Sequence, residues 1–195
     1  MTKICFIRHG ETDWNIAGKL QGRTDIPLNE SGILQAQACG ECLTPNEWDL
    51  IITSPLLRAK ETGQIIQQKL DIPLYEMASF IEVAFGDAEG LTQHERALQF
   101  PDRNYPNKET ESMITDRFLN GMRTVHEDHA NQNILIISHG AFIKAIFHYF
   151  SNGKISPGIT KLINGSFSTL EINNNQTNIL DYNIVDHLPT QHPNS

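Results

Sequence analysis

Three short apolar runs, each stopping abruptly on polar residues, constrain this chain more than any other feature. Ile4-Cys5-Phe6-Ile7, Leu50-Ile51-Ile52 and Ile134-Leu135-Ile136-Ile137 have the length and continuity of strands buried on both faces. The first run ends at Arg8-His9-Gly10. The second ends at Ser54-Pro55, with Arg58 just beyond. The third ends at Ser138-His139-Gly140. Helical patterns separate them over 31–43, 56–70 and 109–129, and an apolar helix follows the third over 141–150. This alternation predicts an α/β fold, three layers α/β/α, with a mostly parallel central sheet. Sheets of that kind bind ligands outside the carboxyl ends of their strands. The three polar ends are therefore expected on one edge of the sheet, where two His and two Arg converge.

The rest of the chain fills in around this frame. A loop over 11–30 carries Asn15, Gly18, Gln21-Gly22, Pro27 and Asn29, and is long for a compact fold, which marks it as functional. The 31–43 helix is expected to turn Ile33, Ala36 and Gly40, or Leu34, Ala38 and Leu43, inward. In the 109–129 helix Ile114, Phe118, Gly121, Met122 and Val125 form one stripe. A short strand is expected over 74–77, an irregular substrate-side segment over 78–108, and two strands over 166–172 and 177–185 joined by the polar turn 173–176. Residues 186–195 read as a polar tail. The length of 195 residues suits one domain spanning 1–195.

Charge and cysteine usage narrow the partners. A net charge of -8 argues against a broad nucleic-acid or anionic-membrane surface, but not against a small anion held by a local Arg cluster. No apolar run has membrane-spanning length, and the first residues lack a signal-peptide pattern. The three Cys are too few and too odd for a disulfide framework, so a cytoplasmic location is expected. Cys39-Gly40-Glu41-Cys42 falls inside a helical pattern without a second pair, which favours a structural reading over a redox or zinc site. In the same reducing setting the Asn164-Gly165-Ser166 sequon carries little weight.

At the strand ends, each residue type brings a definite chemistry. Arg8 and Arg58 offer planar donor forks suited to phosphate. His9 is able to act as a nucleophile or acid/base near neutral pH. Gly10 lets the backbone turn and a ligand approach. The plainer alternative is a solvated strand end, and Arg58 is alternatively surface charge, although a helix N-terminus disfavours a cation. Two His and a Glu are also able to ligate zinc, but adjacent Arg residues oppose a divalent ion. His94, His126, His129, His148, His187 and His192 have no comparable context and are expected at the surface or in packing roles.

The motifs Arg8-His9-Gly10-Glu11-Thr12, Asn15, Gln21-Gly22, Ser54-Pro55-Leu56-Leu57-Arg58-Ala59 and Ser138-His139-Gly140 resemble the histidine phosphatase superfamily, the phosphoglycerate mutase-like family. The stretch from Phe80 through Glu82 to Gly90-Leu91-Thr92 is similar to that family's acid-bearing loop, and the end of the chain is similar to its phosphatase members. The resemblance implies a phosphoglycerate mutase-like fold and a metal-independent phosphomonoesterase without cofactor. Its substrate would be a small phosphorylated metabolite, cleaved through a phosphohistidine on His9. It implies that Arg8 and Arg58 clamp the phosphate, that Glu82 is the general acid, and that His139, protonated when substrate is bound, donates to the phosphoryl group. Asn15, Gln21, Gly22 and Gly140 match substrate-contacting positions. Ala88 departs from the pattern: many members carry a Trp there that packs the acid-bearing loop. A cofactor-dependent phosphoglycerate mutase and a non-catalytic phospholigand-binding regulator are the alternatives.

Overall fold

A computed structural model describes residues 1–155, 160–173 and 176–189. Six strands form one sheet in the order β3-β2-β4-β1-β5-β6. They are β1 (Thr2–Arg8), β2 (Leu50–Thr53), β3 (Leu74–Glu76), β4 (Asn133–Ser138), β5 (Phe167–Asn173) and β6 (Gln176–Ile184). The helices are α1 (Asp13–Ile16), α2 (Glu30–Cys42), α3 (Leu57–Leu70), α4 (Gln93–Gln99), α5 (Glu111–Asp128) and α6 (Gly140–Phe150). The first four strands pair in parallel. The β5–β6 hairpin joins β1 antiparallel, so the mostly parallel sheet carries one antiparallel flank.

The unbroken apolar runs follow from burial on both faces. Alternate residues point to opposite sides of a strand. Ile4, Phe6, Leu50, Ile52, Ile134 and Ile136 therefore meet Phe118, Met122, Val125, Phe142, Ile146 and Phe147 of α5 and α6. Cys5, Ile7, Ile51, Leu135 and Ile137 meet Cys39 of α2 and Ala59, Ile66 and Leu70 of α3 on the other side. The predicted stripe of α5 is the buried one, Ile114, Phe118, Gly121, Met122 and Val125.

Several expectations need correction. Helix α2 buries Gly32, Gln35, Ala36, Cys39 and Gly40, whereas Ile33 and Leu34 are exposed. Small residues face inward because α3 lies close: a Cβ on Gly40 would stand 3.0 Å from Lys69 Cγ and 3.4 Å from Ile66 Cα. The 78–108 segment is not irregular throughout. It contains two 3-10 turns, Ala78–Phe80 and Gly86–Ala88, and the helix α4. A capping box between Thr92 and Glu95 starts α4, a signal present in the sequence. The 11–30 loop similarly holds α1, capped by Thr12 and Asn15. Most other elements differ from their expected bounds by one or two residues, as helix ends and strand ends commonly do. Residues 174–175 of the expected polar turn and 190–195 of the expected tail lie outside the described residues.

Candidate active site

Register brings the strand ends together. Arg8 on β1 stands opposite Ser138 on β4. The His9 N–H donates to the Ser138 carbonyl at 3.0 Å, and the Ser54 N–H to the Ile137 carbonyl at 3.0 Å. The three ends thus share one edge, as parallel pairing requires. A cavity of about 280 Å³ opens there, and Arg8, His9, Asn15, Gln21, Gly22, Arg58, Glu82 and Gly140 all line it. His139 alone of the predicted residues is not on its wall. It is fully buried behind it, with its ring centroid 5.2 Å from that of His9.

The state of His9 follows from one hydrogen bond. Its Nδ1 lies 2.6 Å from the Gly10 carbonyl oxygen. A carbonyl only accepts, so Nδ1 carries the proton and Nε2 keeps its lone pair. Burial, then the charges on Arg58 and Arg8, push the His9 pKa well below its ordinary 6.5, so the ring is neutral. Gly10 is required for a reason other than a sharp turn. A Cβ there would come within 2.3 Å of the Gly32 carbonyl oxygen, where the loop crosses the start of α2.

The two guanidinium groups are anchored on carbonyls rather than carboxylates. Arg58 is completely buried and donates to Thr24 O at 2.9 Å and Gly22 O at 2.7 Å. Gly22 adopts φ +52, and a Cβ there would collide with the Glu89 carboxylate, so the turn that presents this carbonyl needs glycine. Arg8 donates to Leu162 O. The Nε of each Arg is buried without a protein partner. Burial pulls the Arg8 pKa down to about 10 and also lowers that of Arg58, while Glu82 opposes both shifts. Both remain cations at neutral pH, which leaves one buried and one part-buried positive charge facing a cavity with a single carboxylate on its wall.

That carboxylate is Glu82, which is 8% exposed. Its Oε1 accepts the N–H groups of Val83 and Phe142 at 2.9 Å each, and its Oε2 accepts that of Ala141 at 3.2 Å. Its neighbour Glu89 is spent on the loop, accepting from the Arg23, Thr24 and Phe85 backbone and from the Thr24 hydroxyl. The segment that carries Glu82 is held from behind. Arg117 donates to Ser79 O at 3.0 Å and Ile81 O at 2.7 Å, and grips Glu109 through two bonds of 2.9 and 3.0 Å. The departure at Ala88 leaves a small, fully buried residue there. Trp14 instead packs beside this loop, 3.3 Å from where a Gly90 Cβ would be.

His139 holds Ser54 Oγ at 2.7 Å through Nε2, while its Nδ1 is buried without a partner. Burial, then Arg58, His9, Arg8 and Arg117, push its pKa well below the ordinary value. Its imidazole is neutral in this setting, and the expected protonated form would need the charge of a bound anion. Among the described residues, no group of three or more His, Cys, Asp and Glu side chains is placed to hold a metal ion. No helix among them is long and apolar enough to cross a membrane.

Other contributors escaped sequence reasoning. Asn164, in the discounted sequon, donates from Nδ2 to the His9 and Gly10 carbonyls at 3.0 and 3.2 Å and to Asn15 Oδ1 at 3.2 Å. Asn15 Oδ1 also accepts from Thr12, so its NH2 is the end left for a ligand. Lys19, Leu20, Phe85, Ala141 and Lys144 also line the cavity. No local pattern marks these residues, because they arrive from three separate segments, the 11–30 loop, the turn at Phe85 and α6. The Cys39 thiol is buried and pushed above its ordinary pKa by burial, so it is unreactive. His187, stacked on Phe167 at 4.0 Å, packs against it.

The family model described as "Histidine phosphatase superfamily (branch 1)" matches residues 4–185. The "Uncharacterized phosphatase PhoE" of Bacillus subtilis is 45% identical over 188 residues, covering 96% of this chain and 97% of that protein. Among solved structures, Bacillus stearothermophilus YhfR superposes with a TM-score of 0.90 at 26% identity, covering 97% of this chain and all of that one. Entamoeba histolytica phosphoserine phosphatase, in a mutant form with phosphoserine, superposes with a TM-score of 0.85 at 28% identity and the same coverage.

Proposed function

The chain belongs to the histidine phosphatase superfamily and is a phosphatase, and from that premise we propose that it hydrolyses a small phosphomonoester through a phosphohistidine on His9, without a metal. The observation that carries this reading is the 2.6 Å contact between His9 Nδ1 and the Gly10 carbonyl. It holds a neutral imidazole with Nε2 unprotonated, in a cavity lined by the buried Arg58 and the part-buried Arg8. Nε2 attacks phosphorus, and the bond to the leaving oxygen breaks. Arg8 and Arg58 neutralise the non-bridging oxygens, where preorganised donors act most strongly because water is excluded. Glu82 gives its proton to the leaving oxygen. Oε1 already accepts two amides, so Oε2, with one, is the oxygen with room for that proton. In the second half, Glu82 takes a proton from the water that attacks the phosphohistidine. His139, protonated once the phosphate dianion is bound, donates to the phosphoryl group. Asn15, Gln21, Gly22 and Gly140 contact the substrate.

The test is turnover of p-nitrophenyl phosphate with and without chelator, together with acid and base quenching of labelled enzyme. The expected result is activity unchanged by EDTA and an acid-labile, base-stable phosphoenzyme that is absent from His9→Ala. Substantial turnover by His9→Ala, or loss with EDTA restored by zinc or magnesium, would overturn the reading.

A further inference from the structure

His139 has two ring nitrogens, and among the described residues the protein occupies one of them. Nε2 lies 2.7 Å from Ser54 Oγ, whereas Nδ1 is buried without a partner. Both side chains are fully buried, so bulk water reaches neither. Ser54 is the first residue beyond β2, and its N–H donates to the Ile137 carbonyl, close to the β4 end that delivers His139. A hydroxyl has one hydrogen to give and two lone pairs to accept with. One lone pair takes the Leu56 N–H at 3.3 Å, in the turn that leads into α3. The hydrogen then has one acceptor in reach among the described residues, His139 Nε2. In a neutral ring with its hydrogen on Nε2, two buried groups would be orphaned, the Ser54 hydrogen and the Nδ1 lone pair. With the hydrogen on Nδ1, Ser54 is satisfied and only the Nδ1–H waits for a partner. Unpaired buried polar groups are costly, so the second arrangement wins. The waiting donor sits beside His9, with ring centroids 5.2 Å apart. When a bound phosphate dianion puts a second proton on the ring, that proton takes Nε2, and the hydroxyl turns about its C–O bond to accept it. One contact serves both states, and Nδ1–H is present in both.

We infer that Ser54 is a positioning residue for phosphoryl transfer: its hydroxyl holds His139 by Nε2 and so reserves Nδ1–H as the donor to the phosphoryl group. This rests on the phosphatase reading above and deepens it. Ser54 does not line the cavity and acts through His139. Without the hydroxyl, Nε2 loses its partner and the two neutral tautomers come closer in energy. Nδ1 then spends part of its time as a bare lone pair, which repels a phosphoryl oxygen instead of binding it.

The test pairs nitrogen NMR of the histidine rings with kinetics. In ligand-free protein at neutral pH, the His139 signals, assigned by their absence from His139→Ala, are expected to show a hydrogen-bearing Nδ1 and a bare Nε2. Ser54→Ala should move population to the form with the hydrogen on Nε2, and inorganic phosphate should shift the wild-type Nδ1 signal. Ser54→Ala leaves the Leu56 N–H without its acceptor, so thermal melting checks the fold. Loss of this one hydrogen bond is expected to lower kcat on p-nitrophenyl phosphate about tenfold, with KM little changed. In a His139→Ala background Ser54→Ala should add nothing, because no imidazole is left to position, whereas a purely structural role would add its full cost. A bare Nδ1 in the wild-type ring, an Nδ1 signal unmoved by phosphate, or an undiminished effect of Ser54→Ala in the His139→Ala background would overturn the inference. If wild type turns over no ester and forms no phosphoenzyme while Nδ1 carries the hydrogen and responds to phosphate, the phosphatase reading falls and the Ser54–His139 pair stands as an anion-holding device.

Discussion

Glu82 accepts the backbone N–H of Phe142 at 2.9 Å, across 60 residues of chain. With its bond from Ala141, the carboxylate caps α6, whose own N-cap residue, His139, makes no side-chain capping bond. The proposed acid is thereby also part of the scaffold, and its placement is tied to the strand end that delivers His139. Glu82→Gln turns an NH2 toward an amide N–H and removes the favourable charge at the helix N-terminus. A stability loss of about 1 kcal/mol is expected. Turnover of alkyl phosphates should fall by at least about a hundredfold, and that of p-nitrophenyl phosphate less, because its leaving group hardly needs a proton. A burst of p-nitrophenol would mark slow hydrolysis of the phosphohistidine. Undiminished activity on an alkyl phosphate would assign the acid elsewhere.

The Arg117–Glu109 pair should govern stability and the seating of Glu82. Arg117→Met leaves Glu109 buried at a side-chain exposure of 4%, with its strongest partner gone. A loss of about 3 kcal/mol is expected, seen as a melting temperature lower by roughly 6–12 °C. Glu109 has a pKa below the ordinary value: burial opposes the shift, but the bonds from Arg117 and Ala84 outweigh it. Its contribution is therefore present above the unfolded pKa of about 4.3 and lost as pH falls through the folded value. Melting curves of wild type and Glu109→Gln should converge in acid, and a constant gap from pH 7 to 3 would contradict this.

Asn164 tethers the loop that carries His9 and Gly10 to the start of the hairpin. Asn164→Ala removes donors to His9 O, Gly10 O and Asn15 Oδ1. The loop that aims His9 should loosen, lowering kcat by about tenfold to a hundredfold, with about 1 kcal/mol lost in stability. Asn164→Asp should be worse, since it sets a carboxylate against three oxygens. An Ala variant as active and as stable as wild type would show that the tether is dispensable.

The two buried imidazoles should make the protein sensitive to mild acid. The pKa values of His9 and His139 are both well below 6.5, because burial and the neighbouring Arg charges disfavour the imidazolium. The unfolded chain takes up protons first as pH drops below about 6.5, so stability is full above that pH and declines beneath it, toward the folded values. The melting temperature should fall between pH 7.5 and 5.5, and the fall should be smaller in His139→Gln. Parallel declines in the two proteins would refute the assignment.

The polar ends of three buried runs were enough to bring His9, Arg8 and Arg58 to one cavity with His139 just behind its wall, because parallel pairing aligns strand ends and apolar continuity identifies strands buried on both faces; Glu82 was legible only through the family resemblance of the stretch that carries it. Local chemistry also specified α1 and α4 through their capping boxes, although the 78–108 segment read as irregular. The burial face of α2 did not follow from its pattern: close approach of α3 favours a small residue at Gly40 and that of the Gly10–Glu11 loop one at Gly32, while Ile33 and Leu34 face out. The helix caps were equally out of reach. The first amide of α3 is met by Asp25 Oδ1 at 2.7 Å and those of α6 by Glu82, both from distant loops. Asn164 reaches the backbone of His9 and Gly10 by the same kind of long-range placement. Sequence periodicity records which residues share an element, and so it determined the sheet and its functional edge. Which side chain from one element satisfies the orphaned groups of another depends on how the layers pack, and only the tertiary structure decided that.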